Sequence, residues 1–381
     1  MFIPRAITAI IKERLTVSNK VIILYGPRQS GKTTLVNNIL NSISEKIVAI
    51  NADEKKYIDI LSSRDFNKMR LLVERADILF IDEAQRIPDI GINLKILHDQ
   101  MPSLKIIATG SSSFELASKI KEPLTGRTNT FILYPVAFHE LRKIENAADL
   151  QNRIGEFLIY GTYPEIFSLP SLTEKQQYLR ELSSSYLYKD IFELTSIRHP
   201  SRLDALLRLL AFQIGSQVSL SELGNSLNMS KDTVASYIDL LEKAFVIFRL
   251  PGFSRNLRKE VVKMDKIYFY DLGIRNTIID NYNGLEFRDD HGKLWENFII
   301  SERKKYLAYS MNFKNCYFWR TYTGAELDYV EESSGKLSGI EIKWSERNKK
   351  APASWLDTYA NATFKEINRI NFIDFISDIG A

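Results

Sequence analysis

The first 135 residues alternate between short apolar runs and segments of helical period. Val21–Tyr25, Ile47–Ile50 and Ile78–Ile81 are continuous apolar runs, and Leu104–Thr109 is nearly so, as expected of strands buried on both faces. Helical spacing is read over Thr34–Leu40, Lys68–Glu74 and Asn93–Gln100, and a further strand over Thr130–Leu133. Strands alternating with helices predict an α/β domain on a parallel sheet, with its ligand at the carboxyl ends of the strands. Met1–Lys20 mixes isoleucines with Arg5, Lys12, Glu13 and Arg14, which reads as an amphipathic helix and not a signal peptide.

From Asp149 to about Leu210 the pattern is helical, broken at Gly161-Thr162-Tyr163-Pro164. Ser219–Leu250 then reads as a helix-turn-helix: Ser221–Leu227, a turn at Asn228–Ser230, and a second helix Lys231–Lys243 that exposes Ser236 and Tyr237. A strand Phe245–Leu250 and a turn at Pro251-Gly252 lead to a basic loop with Arg255, Arg258, Lys259, Lys263 and Lys266. A returning strand Ile267–Tyr270 completes a winged helix. The last hundred residues read as another α/β unit, with a helix Leu294–Tyr306, strands near Tyr317, Leu327, Ile340 and Ile370, and a helix near Trp355. The expected segments are 1–145 for a nucleotide-binding core, 146–210 for a helical lid, 211–275 for the winged helix and 276–381 for the last unit.

The run Gly26-Pro27-Arg28-Gln29-Ser30-Gly31-Lys32-Thr33 joins the first strand to the next helix, which continues from Thr34, with the spacing G-x-x-x-x-G-K-T. Glycines let the backbone approach a phosphate, and consecutive N–H groups at a helix start cradle it. Lys32 is placed to reach the outer phosphates and the Thr33 hydroxyl to hold Mg²⁺. Asp82 and Glu83 end a buried strand. Asp82 suits a contact to Mg²⁺, and Glu83 suits polarising the attacking water. Thr109 and Ser111 end the next strand, in Gly110-Ser111-Ser112-Ser113, and suit a hydrogen bond near the γ-phosphate or the water. Arg127 follows Leu124-Thr125-Gly126; a cation against the transferring phosphoryl group stabilises transition-state charge. Supplied by a neighbouring subunit, it makes hydrolysis depend on assembly.

Composition adds bounds. The chain has 381 residues, 45% hydrophobic and 26% charged, enough for two or three ordinary globular domains. A formal charge of +4 points only weakly to nucleic acid. The single cysteine, Cys316, excludes an intramolecular disulfide and a cysteine-based metal site, and the four histidines lack ligand spacing. No apolar run approaches the length of a membrane span, so a cytoplasmic location without membrane contact is expected.

Several stretches together resemble a known family: Ile3-Pro4-Arg5, Gly26 to Thr34, Phe80-Ile81-Asp82-Glu83-Ala84-Gln85, Thr109-Gly110-Ser111-Ser112, Gly126-Arg127 and Tyr134-Pro135-Val136-Ala137-Phe138-His139-Glu140-Leu141. They resemble the AAA+ ATPases of archaea and bacteria that couple a P-loop domain to a C-terminal domain of long-unassigned function. The resemblance implies ATP and Mg²⁺ as cofactors and a ring or other homo-oligomer. Where that family has Gly-Gly-x-Pro, this chain has Gly161-Thr162-Tyr163-Pro164, so the second glycine is replaced.

Two further features suggest DNA. The second helix of the winged segment can enter a major groove with Lys231 and Thr233 reaching phosphates or bases, and the basic loop can contact the backbone. One lysine in the first turn favours non-specific contact, and in related ATPases such a segment also serves as a lid or brace. In the last unit, Glu296 lies on a helix, Asp328 in a strand, and Glu341 and Lys343 two apart on the next strand, facing one side. Asp328 and Glu341 can bind Mg²⁺, and a lysine beside them can position a water or stabilise phosphate charge. The ordered set resembles the PD-(D/E)XK nucleases, which implies a restriction-endonuclease-like α/β fold and cleavage of phosphodiester bonds. Arg320 and Tyr322 are placed to help bind a phosphate. The leading expectation is an ATP-driven enzyme that cleaves or binds DNA; a helicase or branch-migration motor without cleavage, and a nucleotide-controlled switch on a protein partner, are the alternatives.

Overall fold

The computed structural model describes residues 2–111, 124–184, 200–254, 264–346, 350–359 and 361–377. The chain divides into two compact units, one of Phe2–Pro135 with Lys243–Phe245 and one of Val136–Glu242 with Val246–Ala381.

In the first unit the apolar runs become strands. They are β1 (Val21–Tyr25), β2 (Ile47–Asn51), β3 (Ile78–Asp82), β4 (Lys105–Gly110) and β5 (Thr128–Ile132), in the order β2-β3-β4-β1-β5 among the described residues. Every pairing is parallel, as the alternation with helices predicts. All five side chains of β1 are buried, and each fully buried aliphatic one contributes roughly 1.5–3 kcal/mol relative to exposure. The register sets Tyr25 beside Gly110 and Asn51 beside Asp82, so the polar ends of β1, β3 and β4 share the carboxyl edge of the sheet. Helix Thr8–Val17 lies within the predicted amphipathic stretch and buries Ile11 and Leu15. Helix Phe66–Val73 starts two residues before the predicted Lys68, because the Asp65 carboxylate accepts from the Asn67 and Lys68 N–H groups and caps it.

The second unit opens with helices, among them Ile154–Tyr160, Leu172–Leu182 and Pro200–Phe212. Helices Leu220–Leu227 and Lys231–Lys243 follow, with Asn228 left-handed between them (φ 51°), and then the antiparallel pair β6 (Ile247–Leu250) and β7 (Lys266–Phe269). After helices Leu272–Ile278 and His291–Tyr309 comes a sheet of β8 (Asn315–Arg320), β9 (Glu326–Ser333), β10 (Lys336–Ile342) and β11 (Ala362–Ile367). Neighbours β8, β9 and β10 are antiparallel, and β11 runs parallel to β10. Backbone bonds cross the expected boundary at 275/276: Phe253 N–H donates to Phe318 O at 2.6 Å and Phe318 N–H to Pro251 O at 2.9 Å.

Three sequence expectations need correction. The strand expected near Ile370 is Ala362–Ile367; Ile370 is 70% exposed in a turn whose N–H groups are taken by Asn368 and Asn371 side chains. Tyr237 is 8% exposed, because the helical period aligns it with Val234, Ile238 and Leu241 on the core face. Lys266 does not belong to a solvent-facing wing: it opens β7 and is 3% exposed. Arg255, Arg258, Lys259 and Lys263 of that wing, and Ser112 and Ser113, lie outside the described residues.

The Gly161-Thr162-Tyr163-Pro164 break has a packing cause. Gly161 has φ +70°, and a Cβ there would lie 2.1 Å from a carboxylate oxygen of Asp271. That carboxylate cannot yield, since it accepts from Thr162 N–H at 2.7 Å and caps the next helix through Ile274 N–H at 3.1 Å. Thr162 in turn receives Lys305, which also pairs with buried Glu302 at 2.7 Å.

Candidate functional site

The loop after β1 is shaped by close contact. Gly26 has φ +150°, and a Cβ there would lie 2.1 Å from the Leu133 carbonyl oxygen, so no other residue fits. Gly31, at φ +93°, turns the chain into helix Lys32–Leu40. Lys32 is buried, and its ammonium donates to the Gly26 and Pro27 carbonyls at 3.0 and 2.8 Å. Gln29, Thr33 and Thr34 are exposed at the same loop and helix start, while Ser30 is buried and its hydroxyl has no hydrogen-bond partner among the described residues.

Behind the loop the ends of β3 and β4 meet. Thr33 Oγ1 donates to Asp82 Oδ2 at 2.8 Å, and Thr109 Oγ1 donates to Asp82 Oδ1. Glu83 adopts a left-handed conformation (φ 53°) that turns the chain out of the sheet. Gln85 Nε2 donates to Glu83 at 2.5 Å and to Ser111 Oγ at 3.2 Å. A hydroxyl on a carboxylate, beside a loop with a buried lysine and an unpartnered serine hydroxyl, is a donor set that fits a nucleotide phosphate and Mg²⁺. Of the residues expected from the sequence, the structure joins Thr33 and Thr109 on Asp82, sets Glu83 and Ser111 on the two sides of Gln85, and holds Lys32 within the loop itself.

It missed two residues as site residues. Arg5 donates to Ser30 O at 2.7 Å and to Tyr134 O at 2.6 Å, bracing the loop against the segment after β5. Gln85 links Glu83 to Ser111. Both sit in stretches that carry the family resemblance, but Ser30 and Tyr134 for Arg5, and Ser111 for Gln85, lie 25 or more residues away in sequence, so the fold is what reveals those contacts.

Arg127 is placed elsewhere. It precedes Thr128, which pairs with Val21 at the start of β1, whereas the loop follows Tyr25 at its end. The length of β1 therefore separates it from its own phosphate loop, about 15 Å at the usual strand rise. Its guanidinium pairs with Asp99 at 2.9 Å.

In the second unit a cleft of about 790 Å³ is bounded by Glu296, Glu326, Asp328, Glu341 and Lys343. The four sequence-predicted residues meet there. Lys343 Nζ lies 2.8 Å from Glu341 and 3.5 Å from Asp328 Oδ2, and Asp328 Oδ2 also accepts from Ile342 N–H at 2.9 Å. Glu296 accepts from Tyr268 OH at 2.6 Å, and a Cβ on the Gly215 found there would come within 3.2 Å of it. Burial first, and then Asp328, push the Glu296 carboxyl above its ordinary range. Burial opposes the charge on Lys343, but Asp328 and Glu341 outweigh it and raise its pKa.

Sequence reasoning missed Lys266 here. Its ammonium lies 2.7 Å from Glu326, 3.4 Å from Glu296 and 3.8 Å from Asp328. Burial again works against the charge, and the carboxylates outweigh it and raise its pKa. Among the described residues no group of three or more His, Cys, Asp or Glu side chains is arranged to hold a metal ion. The pair Asp328 and Glu341 remains, and two carboxylates fit Mg²⁺, which completes its shell with water and substrate phosphate.

Glu296 is held in place by the start of its helix. Asp290 pairs with Arg275 at 2.6 Å and with Arg288 at 2.8 Å. Burial alone would raise the Asp290 carboxyl; the two guanidiniums outweigh it and hold it at about 2. A depressed folded-state pKa gives stability that is present above the ordinary Asp range and lost as pH falls through the folded value. Asp290→Asn is therefore expected to lower stability at pH 7, with the gap from wild type closing as pH falls toward 2. Urea unfolding across that range measures it.

A parallel sheet whose first strand feeds a phosphate loop, with Thr33 on Asp82 and Glu83 beside it, defines a P-loop ATPase. Residues 18–142 match the AAA domain family, and residues 151–284 and 291–368 match two domains of unknown function, DUF8612 and DUF4143. An uncharacterized protein of Mycobacterium tuberculosis, Rv2008c, is 31% identical over 331 residues, covering 85% of this chain and 70% of that protein. The chain belongs to the same family as that protein. The Holliday junction branch migration complex subunit RuvB of Mycoplasma genitalium is 32% identical over 167 residues, 43% of this chain and 49% of that protein. The Walker-type ATPase PABY2304 of Pyrococcus abyssi shares the fold, with a TM-score of 0.50 at 17% identity over 71% of this chain and 94% of that one. Among the described residues no helix is long and apolar enough to cross a membrane.

Proposed function

We propose that this ATPase works on DNA, hydrolysing ATP with Mg²⁺ at the P-loop and cleaving phosphodiester bonds at the cleft of the second unit. The observation that carries the reading is the meeting of Asp328, Glu341 and Lys343 around one ammonium, with Glu296 in the same cleft. Asp328 and Glu341 would hold the divalent ion, which when bound supplies an activated water and neutralises phosphate charge. Lys343 positions the water or the phosphate, and Glu296 shapes the cleft wall. At the P-loop, Thr33 and Asp82 would hold Mg²⁺, Lys32 binds the outer phosphates, and Glu83 orients the attacking water.

Helices Leu220–Leu227 and Lys231–Lys243 with the β6–β7 pair support a winged-helix reading for 211–275. The exposed start of the second helix offers a single cation, Lys231, which favours non-specific backbone contact over base reading, while the neighbouring Asp232 opposes phosphate approach. Arg127, remote from its own loop, serves a phosphoryl group only in a neighbouring subunit, so this role goes with a homo-oligomer. The likeness to RuvB favours a second reading, a motor that moves on DNA without cutting it.

ATP turnover measured with and without single-stranded, duplex and branched DNA tests the shared part of both readings. Turnover is expected to rise several-fold with at least one of them. Turnover indifferent to all three removes the DNA reading and leaves a nucleotide switch acting on a protein partner.

A further inference from the structure

We propose that Lys266 is a positioning residue of the carboxylate cleft, a tethered cation that occupies the place among Glu296, Glu326 and Asp328. Asp328 and Glu341, which also share the Lys343 ammonium, would then be the carboxylates that hold the divalent ion. The inference rests on the reading of that cleft as a metal-dependent site and adds a residue outside its strand motif.

Lys266 lies within the span matched to DUF8612, whereas the carboxylates lie within that matched to DUF4143. One cleft is thus built from both segments. The backbone of Lys266 is fixed on two sides: it pairs with Leu250 across β6–β7 and bridges to Gln217, with Gly215 N–H donating to Ile267 O at 2.9 Å. Its ammonium sits over the Phe318 ring, 5.5 Å from the centroid, as well as beside the three carboxylates. A lysine held this way has few other rotamers, so its charge is built into the cleft floor. Glu296, Glu326, Asp328 and Glu341 bring four negative charges to one cleft. Besides Lys266, Lys343 pairs with Asp328 and Glu341, and the half-exposed Lys293 with Glu296. Without Lys266 a divalent ion there would meet a stronger field and bind more tightly, but Asp328 would lose the partner on its Oδ1 side.

Charge-filling and mere scaffolding predict opposite signs. Mn²⁺ binding to the full chain without nucleotide, followed by calorimetry at pH 7.5, reads the difference. Lys266→Met is expected to tighten Mn²⁺ binding at least tenfold, while Lys266→Arg stays within twofold of wild type. Glu326→Gln, which removes one of the competing negative charges at the surface end of the cluster, is expected to weaken binding in the Lys266→Met background. Unchanged or weaker binding in Lys266→Met, with the far-ultraviolet circular dichroism of wild type, overturns the proposal. An unfolded Lys266→Met shifts the decision to Lys266→Arg, where binding within twofold of wild type supports the proposal and a loss of binding, with the charge kept, overturns it. Wild type that binds no Mn²⁺ removes the metal reading of the cleft itself, and this inference falls with it.

Discussion

Lys32→Ala is expected to slow ATP hydrolysis by about 10²–10³-fold, the usual cost of removing one preorganised charge or donor aimed at a reacting group. Lys32 is the first residue of its helix, 5% exposed, with its ammonium fixed between two loop carbonyls at 3.0 and 2.8 Å. A side chain so confined meets a phosphate with little loss of freedom. Alanine removes the charge and leaves the Gly26 and Pro27 carbonyls without that donor, at roughly 1–3 kcal/mol for an unsatisfied buried group. Phosphate release measured at saturating ATP gives the rate effect, and thermal unfolding gives the structural cost. Lys32→Arg is not a rescue, because a planar guanidinium does not fit the two-carbonyl seat of a compact ammonium. Retained turnover in Lys32→Ala would contradict the assignment of this loop as the hydrolytic site.

Asp328→Ala is expected to abolish DNA cleavage while leaving ATP hydrolysis within about twofold of wild type. Asp328 is the residue on which the cleft converges: it accepts from Ile342 N–H, and both Lys343 and Lys266 reach it. Its replacement removes one of the two carboxylates open to an ion, and an ion held by Glu341 alone loses the field that binds it. The P-loop residues all belong to the other compact unit. Alanine also leaves the Ile342 N–H without its partner, so Asp328→Asn is the companion variant. It keeps an acceptor for that N–H and removes the charge, and cleavage is expected to be lost in it as well. Cleavage retained in the asparagine variant would show that the charge of Asp328 is not what the chemistry uses.

Local pattern carried the first unit. Continuous apolar runs such as Val21–Tyr25 and Ile78–Ile81 have one sensible fate, burial on both faces of a parallel sheet, and the eight-residue loop fixes which strand end meets the ligand. Local pattern also put Glu296 on a helix and Asp328 and Glu341 on strands, whereas Lys343 lies just past the end of its strand at Ile342. It failed where a residue's environment is set by distant chain. Lys266 follows four basic residues in sequence and reads as one more wing cation; only the β6–β7 pairing and the facing helix show that it is buried among carboxylates. Arg127 reads as a phosphate contact beside a glycine turn, and the parallel register of β5 against β1 sends it to the opposite edge. Arg5 was invisible as a site residue because its bond to Tyr134 spans 129 residues, and Gln85 because its bond to Ser111 depends on how β3 and β4 lie side by side.

In the proposed function the cleft around Asp328, Glu341 and Lys343 cuts DNA. Incubating the full chain with end-labelled single-stranded, duplex and branched DNA, with Mg²⁺ or Mn²⁺ and with or without ATP, tests it most directly. The account predicts metal-dependent cleavage of at least one substrate by wild type, lost on chelation and absent in Asp328→Asn. No cleavage of any substrate by wild type with either metal would contradict it.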